Sequence, residues 1–242
     1  MGTLYLLPTV LTGEDFSTAP AVLPAAVPAQ IGALRLFFVE NVRTARRFIK
    51  AVVPTAVIDD LTLVLLDKDA PPAAVRRAIE QVAAGADAGV LSEAGCPGIA
   101  DPGAALAAEA HRQQVRVVPL TGPSSVLLAL MGSGMNGQQF AFLGYLPVER
   151  AARQAAIKKL EGQAQRAAQT QLFIETPYRN DALFADLLAT LQPGTRLCVA
   201  CDLTAATEFL VTRTVADWRK TPPPVLHKRP AVFVVGASAS AS

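Results

Sequence analysis

The chain has 242 residues, half of them apolar (51%) and only 17% charged, and its net charge is +2. This composition excludes a disordered polymer and a long coiled coil, and the near-neutral balance excludes a molecule-wide basic field for gripping nucleic acid. The opening Met1-Gly2-Thr3-Leu4-Tyr5-Leu6-Leu7-Pro8 lacks the cationic start and unbroken apolar stretch of a secretory signal, and no run approaches the ~20 apolar residues of a membrane span, so a cytoplasmic protein is expected.

Nearly continuous apolar runs at Thr3–Leu7, Leu34–Val39, Leu61–Leu66 and Ala88–Leu91 predict buried strands of a parallel sheet. Helical periodicity lies between and after them, over 41–51, 73–84 and 102–113. For the third helix, Asp101 is the expected cap and Pro102 the first helical residue. Residues 8–33 carry four prolines and little periodicity, and read as a loop with one short helix. Val115–Leu120 is a further strand, followed by the turn Thr121-Gly122-Pro123.

Beyond that turn the rhythm changes. Strands are expected at 140–143, 171–175, 196–201, 207–212 and 231–235, with clear helices only at 149–168 and 180–190, a pattern of a mixed or antiparallel sheet. The chain is therefore expected to be α/β with two domains. Residues 1–118 would form a mostly parallel sheet with flanking helices, and residues 119–242 a mixed sheet with helices. The small, polar tail 237–242 is expected to fray.

The densest cluster of unusual backbone residues runs from Leu91 to Gly103: Leu-Ser-Glu-Ala-Gly-Cys-Pro-Gly-Ile-Ala-Asp-Pro-Gly. It follows a buried strand and precedes a helix, so it lies at the carboxyl edge of the sheet, where open α/β folds bind ligands. Small residues allow close approach to the main chain, and prolines stiffen the loop. A tight connection with no ligand is the competing reading. The segment Pro119-Leu120-Thr121-Gly122-Pro123-Ser124-Ser125 is a second candidate, either a ligand-facing helix start or a plain N-cap.

Together these loops resemble the tetrapyrrole methylase superfamily, and within it the branch of ribosomal small-subunit methyltransferase I proteins. The branch's Ser-Asp-Ala-Gly-Thr-Pro-x-x-x-Asp-Pro-Gly loop is matched by Ser92 to Gly103, with Glu93 and Cys96 as changes. Its Pro-x-Pro-Gly-Pro-Ser turn is similar to the stretch from Val118 to Ser124. Further matches are Gly2-Thr3-Leu4-Tyr5, Val39-Glu40-Asn41-Val42-Arg43, Phe142-Leu143-Gly144-Tyr145-Leu146-Pro147, Glu175-Thr176-Pro177-Tyr178-Arg179 and Asp202-Leu203-Thr204.

The resemblance implies a homodimer with S-adenosylmethionine folded into the interdomain cleft. Carried over by position, its contacts would be Pro8, Ser92, Ala94, Gly95, Cys96 and Ile99, then Ser124, Ser125 and Leu143, then Ile174, Glu175, Pro230 and Ala231. The implied activity is ribose 2′-O-methylation of small-subunit ribosomal RNA. The alternatives are methylation of a small molecule such as a tetrapyrrole, or a catalytically silent S-adenosylmethionine-binding protein. A sulfonium methyl donor needs no metal and little acid–base help, which suits a site of loop backbone and small residues.

Departures from the branch fall elsewhere. Its Gly-Asn-Leu after the first-loop proline is replaced by Thr9-Val10-Leu11. Its Glu-Asp-Thr-Arg becomes Glu40-Asn41-Val42-Arg43, and its Pro-His-Arg becomes Pro177-Tyr178-Arg179. Its Arg-Glu-Leu-Thr-Lys becomes Cys201-Asp202-Leu203-Thr204-Ala205, losing two cations.

Gly132-Ser-Gly134-Met-Asn-Gly137 spells a dinucleotide fingerprint, but it follows an apolar helix and precedes a strand, so helix termination is the better reading. Cys198 and Cys201 have redox spacing, yet residues three apart in a strand point to opposite faces. With Cys96 they make three cysteines, too few and odd in number for a disulfide framework. His111 and His227 lack ligand-spaced partners, which argues against zinc. Arg43, Arg46, Arg47 and Lys50 make a basic stripe opposite Val42, Ala45, Phe48 and Ile49, either a solvated face or a hold on RNA phosphates. Arg150, Arg153, Lys158, Lys159 and Arg166 form a second basic group. Glu40, Arg43 and Glu175, at strand ends, are the candidates for orienting or deprotonating an acceptor.

Overall fold

A computed structural model describes residues 1–67, 69–101 and 103–238. The chain divides into two compact units, Met1–Ser124 and Ser125–Ser242.

In the first unit β1 (Thr3–Leu7) leads through α1 (Ala19–Val22) and α2 (Ala26–Ala33) to β2 (Leu36–Val39). Then follow α3 (Val42–Val52), β3 (Thr62–Leu65), α4 (Pro72–Ala83), β4 (Ala88–Leu91), α5 (Gly103–Arg112) and β5 (Arg116–Pro119). The sheet order is β3-β2-β4-β1-β5, and every pairing is parallel, as the apolar runs predict. Both faces are covered. One side packs Leu7, Phe37, Val39 and Leu91 against Val27, Ile31, Ala45, Phe48 and Ile49. The other packs Leu4, Phe38 and Val90 against Ile79, Val82, Leu106 and Ala110.

Residues 8–33 hold more helix than the sequence pattern predicts: a 3₁₀ turn at Phe16–Thr18, then α1 and α2. The prolines do not break these helices because Pro20 and Pro28 sit in first turns, where a missing N–H leaves no bond unmade. Asn41 caps α3, its Oδ1 accepting from the N–H groups of Arg43 and Thr44. Asp101 holds the start of α5 through Gly103 N at 2.7 Å. The expectation for Pro102 lies outside the described residues.

The second unit runs α6 (Ser125–Ser133), β6 (Phe140–Tyr145), α7 (Arg150–Ala167), β7 (Thr170–Ile174) and α8 (Asn180–Thr190). It continues with β8 (Arg196–Cys201), β9 (Phe209–Thr214), α9 (Val215–Trp218) and β10 (Ala231–Gly236). Its sheet is mixed, ordered β6-β7-β10-β8-β9, with only β6–β7 parallel among these pairings. The expected strand at 207–212 starts two residues later, because turns occupy 202–208 through Ala205 N to Asp202 O and Glu208 N to Ala205 O. Gly134, at φ +66°, ends α6, so the fingerprint-like glycines terminate a helix as expected.

Cys198 and Cys201 are buried and unpaired, and only Cys201 joins the core of Phe173, Phe233, Leu183 and Trp218. Burial raises both thiols, Cys201 to about 11 with help from the Asp202 charge, so both stay protonated and unreactive. The basic group on α7 needs correction. Arg153 is buried, and its guanidinium meets the Asp186 carboxylate at 2.6 Å, while Arg150 takes the other Asp186 oxygen at 3.0 Å. Sequence periodicity cannot separate a paired core arginine from a surface one. Ser238 exchanges hydrogen bonds with the Gln165 amide, against the fraying expected there; the expectation for 239–242 lies outside the described residues.

Candidate active site

The strand order of the first sheet places its crevice. From β1 the chain crosses leftward over β4 to β2, and from β4 it crosses rightward over β1 to β5. Adjacent strands whose connections leave in opposite directions open a gap at their carboxyl ends, where open α/β sheets take ligands. The loops after β1 and β4 occupy that gap, and they are bonded to each other. Thr9 N donates to Gly95 O (2.9 Å), and Gly95 N donates to Val10 O (3.3 Å).

The loop after β5 joins them. The Cys96 Sγ lies 3.3 Å from Pro123 O and 3.7 Å from Gly122 O. A Cβ on Gly122 would stand 2.1 Å from Pro8 Cβ, so only glycine lets the first and third loops close. Cys96 of the 92–103 segment thus meets Gly122 and Pro123 of the turn after β5, and Pro8 lies against Gly122.

Gly95 and Gly98 have φ of +77° and +85°, and Asp101 clamps the bend, its Oδ1 accepting from Gly98 N (2.5 Å) and Gly103 N (2.7 Å). A Cβ on Gly103 would sit 2.7 Å from Gly98 N. Ser92 is buried, and its hydroxyl approaches Gly95 O at 3.4 Å. Ala94 and Ile99 are exposed at the loop surface. The Cys96 thiol, raised by burial and by the Asp101 charge, is neutral and serves to bridge loops. The edge therefore offers main-chain groups and small side chains, a donor set that fits a neutral nucleoside carrying a sulfonium. Among the described residues no cluster of three or more His, Cys, Asp or Glu side chains is placed to hold a metal ion.

Glu40 ends β2 beside this loop, and its Oε1 accepts from Glu93 N at 3.2 Å. Burial raises its pKa, with the charges of Asp101 and Glu93 adding to the effect. Below the ordinary carboxyl value of about 4.3 the group is protonated in folded and unfolded chains alike. As pH rises past that value the unfolded chain ionises first, so Glu40 takes stability away from the folded state. Glu40→Gln should therefore leave Tm unchanged near pH 4 and raise it at pH 7.5, measured by calorimetry; an equal Tm at both pH values would contradict this account.

Arg43 stands exposed on the first turn of α3 with no ion pair among the described residues, but the rest of its stripe is engaged within the unit. Arg46 pairs with Asp59 at 2.9 Å, Arg47 pairs with Glu14, and Lys50 Nζ donates to the carbonyls of Pro54 and Ala56.

The second-unit candidates share one sheet edge. Tyr145, two residues after Leu143, lies opposite Ile174, and Ile174 opposite Val232, next to Ala231. Gly144, at φ +66°, sits where the β6 register shifts. Pro230 O accepts from Asp202 N at 3.0 Å. Glu175 is buried, and its Oε1 accepts from Thr176 N and from Arg179 Nε and Nη2 (2.6–3.0 Å), an arrangement that fixes the 175–180 turn. Ser124 closes the first unit and Ser125 begins α6.

Residues 31–218 match the family described as Tetrapyrrole (Corrin/Porphyrin) Methylases. The chain belongs to this family.

Among curated relatives, ribosomal RNA small subunit methyltransferase I of Micromonospora olivasterospora is 33% identical over 190 residues, 78% of this chain and 56% of that protein. The protein of the same name from Neisseria meningitidis serogroup B is 37% identical over 127 residues, 52% of this chain and 42% of that one. That of Halalkalibacterium halodurans is 27% identical over 218 residues, 89% and 69% respectively. The chain thus spans about half the length of the first of these relatives. Among solved structures, the methyltransferase CobJ aligns with a TM-score of 0.61 at 19% identity, covering 100% of this chain and 97% of that one. The uroporphyrin-III-C-methyltransferase from Thermus thermophilus aligns with a TM-score of 0.53 at 18% identity, covering 97% and 92%. At these identities the likeness establishes that this methylase-family chain shares their fold.

The sequence singles out the glycines and gives Asp101 as a helix cap, but not its second bond, from Gly98 N, which closes the bend. Asp101 emerges as the clamp of the 98–103 bend, a role hinted at by an aspartate set between glycines. The Asp202–Arg229 pair (2.7 Å), which ties the 202–208 turns to the segment before β10, left no sequence signal because its members lie far apart in the chain.

Proposed function

We propose that this chain is an S-adenosylmethionine-dependent methyltransferase acting on RNA, with a ribose 2′-hydroxyl of small-subunit ribosomal RNA as the acceptor. The carrying observation is the closure of the loops after β1, β4 and β5 into one glycine-lined edge at the switch point of the sheet, in a chain of the methylase family. The names of its curated relatives support the choice of acceptor.

When bound, S-adenosylmethionine supplies an electrophilic methyl on a sulfonium. The main chain of 94–99 and the Pro8 loop would hold the donor, and positioning would supply most of the rate. Glu40 Oε2, the oxygen not taken by Glu93 N, receives the acceptor proton as the carbon–oxygen bond forms and the carbon–sulfur bond breaks. The chain works as a homodimer, which sedimentation equilibrium checks directly.

One observation favours the small-molecule reading. Three of the four cations on the α3 stripe are engaged within the unit, leaving Arg43 to face a polyanion. The deciding experiment is calorimetric titration with S-adenosylhomocysteine, followed by transfer of labelled methyl to RNA from cells lacking the gene. The expected result is binding and label in small-subunit RNA. Binding with label only in an added porphyrinogen would replace RNA by a small molecule, and binding with no transfer to either would indicate a silent donor-binding protein. No binding at all would end the methyltransferase reading.

A further inference from the structure

Two segments distant in sequence meet beyond the sheet edge of the second unit. Tyr178, four residues after Ile174, is 70% exposed. Its ring meets that of His227 edge to face, with centroids 6.0 Å apart and planes at 78°. Lys228 N donates to Pro177 O at 3.0 Å, joining the two loops directly beside the rings.

The His227 loop is fastened from several sides. Arg229 binds Asp202 and the carbonyls of Val225 and Thr207, and the buried Asn180 amide donates to Arg229 O at 2.7 Å. Two neighbouring cations are neutralised, Arg179 by Glu175 and Arg229 by Asp202. Lys228 is exposed and has no carboxylate partner among the described residues. What stands out to solvent is therefore a pre-oriented aromatic ring, an imidazole against it and an unpaired ammonium.

We infer that Tyr178, with His227 and Lys228, is a stacking platform for an unpaired nucleotide of the RNA acceptor, the ring taking the base and Lys228 the adjacent phosphate. An aromatic face receives any base, and a nearby cation neutralises the backbone that carries it. A protein partner would call for a contiguous apolar patch, whereas the rim here is imidazole and ammonium. Because the two loops that carry the rings are bonded to each other and to the body of the unit, their backbone has little order left to lose when a base lands there. The inference rests on the RNA reading above and adds where the strand is held.

The test is fluorescence anisotropy with a short fluorescein-labelled single-stranded RNA. Tyr178→Ala should weaken binding by about 10-fold, while Tyr178→Phe, which keeps the ring, should bind within about twofold of the parent. Lys228→Ala should lower the slope of log affinity against log salt by about one. Both side chains are exposed, so thermal unfolding of each variant should match the parent. If the parent binds RNA and Tyr178→Ala binds equally well, the platform is overturned and the RNA reading stands. If the parent binds S-adenosylhomocysteine but no RNA, the RNA reading falls and takes the platform with it.

Discussion

Gly122→Ala will severely weaken binding of S-adenosylhomocysteine while leaving the chain folded. The added methyl would lie 2.1 Å from Cβ and 2.4 Å from Cγ of Pro8, well inside contact distance. A proline ring has no rotamer into which it can swing aside, so the first and third loops must separate. Separation strains the Thr9–Gly95 hydrogen bond and pulls Gly122 O from the Cys96 thiol. Overpacking of this kind costs about 1–3 kcal/mol, which a unit whose β2 and β4 are buried at every position absorbs. The donor edge does not absorb it, because a displacement of about 1 Å is enough to ruin a pre-formed site. We expect affinity by calorimetry to fall at least about 100-fold. Gly137→Ala, where an added methyl meets nothing within 4 Å, is the control and should bind as the parent does. Parent-like affinity in Gly122→Ala would mean that the three-loop edge is not the donor site.

The largest loss of stability is expected from Asp186→Ala. Asp186 has a side chain 4% exposed and takes both Arg150 and Arg153. Arg153 is nearly as deep, at 10%, and its remaining donors go to the Pro147 and Val148 carbonyls. Removing the carboxylate strands a buried guanidinium, a change that costs about 3–5 kcal/mol. Urea unfolding should show that loss. The double variant Arg153→Met/Asp186→Leu should recover most of it, because an apolar pair of similar volume needs no partner. A loss below about 1 kcal/mol in Asp186→Ala would show the pair to be solvated.

These two positions also mark how far the sequence alone can be read. The parallel sheet was legible because Leu36–Val39 and Ala88–Leu91 are apolar at every position, as only strands covered on both faces are. The donor loops were legible because glycine and proline fix backbone geometry locally. What escaped depends on pairs of residues brought together by the fold. Arg153 has the helical spacing of a surface residue until Asp186 arrives beside it from α8. Arg46 and Arg47 look available until Asp59 and Glu14 are found next to them. Tyr178 and His227 are unremarkable apart and become a unit only through the Lys228–Pro177 hydrogen bond. In residues 8–33 the prolines read as breakers, though in first turns they start helices.

The position of β1 and β10 has a consequence for biogenesis. The strand Thr3–Leu7 lies between β4 and β5, and Ala231–Gly236 lies between β7 and β8. During synthesis Thr3–Leu7 leaves the ribosome long before either of its neighbours exists, so an apolar segment waits unpaired until residue 91 has emerged, and with one open edge until residue 119 has. In the second half the sheet stays as two separate pairs of strands until Ala231–Gly236 is made and inserts between them. Neither sheet can close before its last strand is made, so a nascent chain cut short before β10 leaves the second sheet in two pieces with open edges, a substrate for chaperones and proteases.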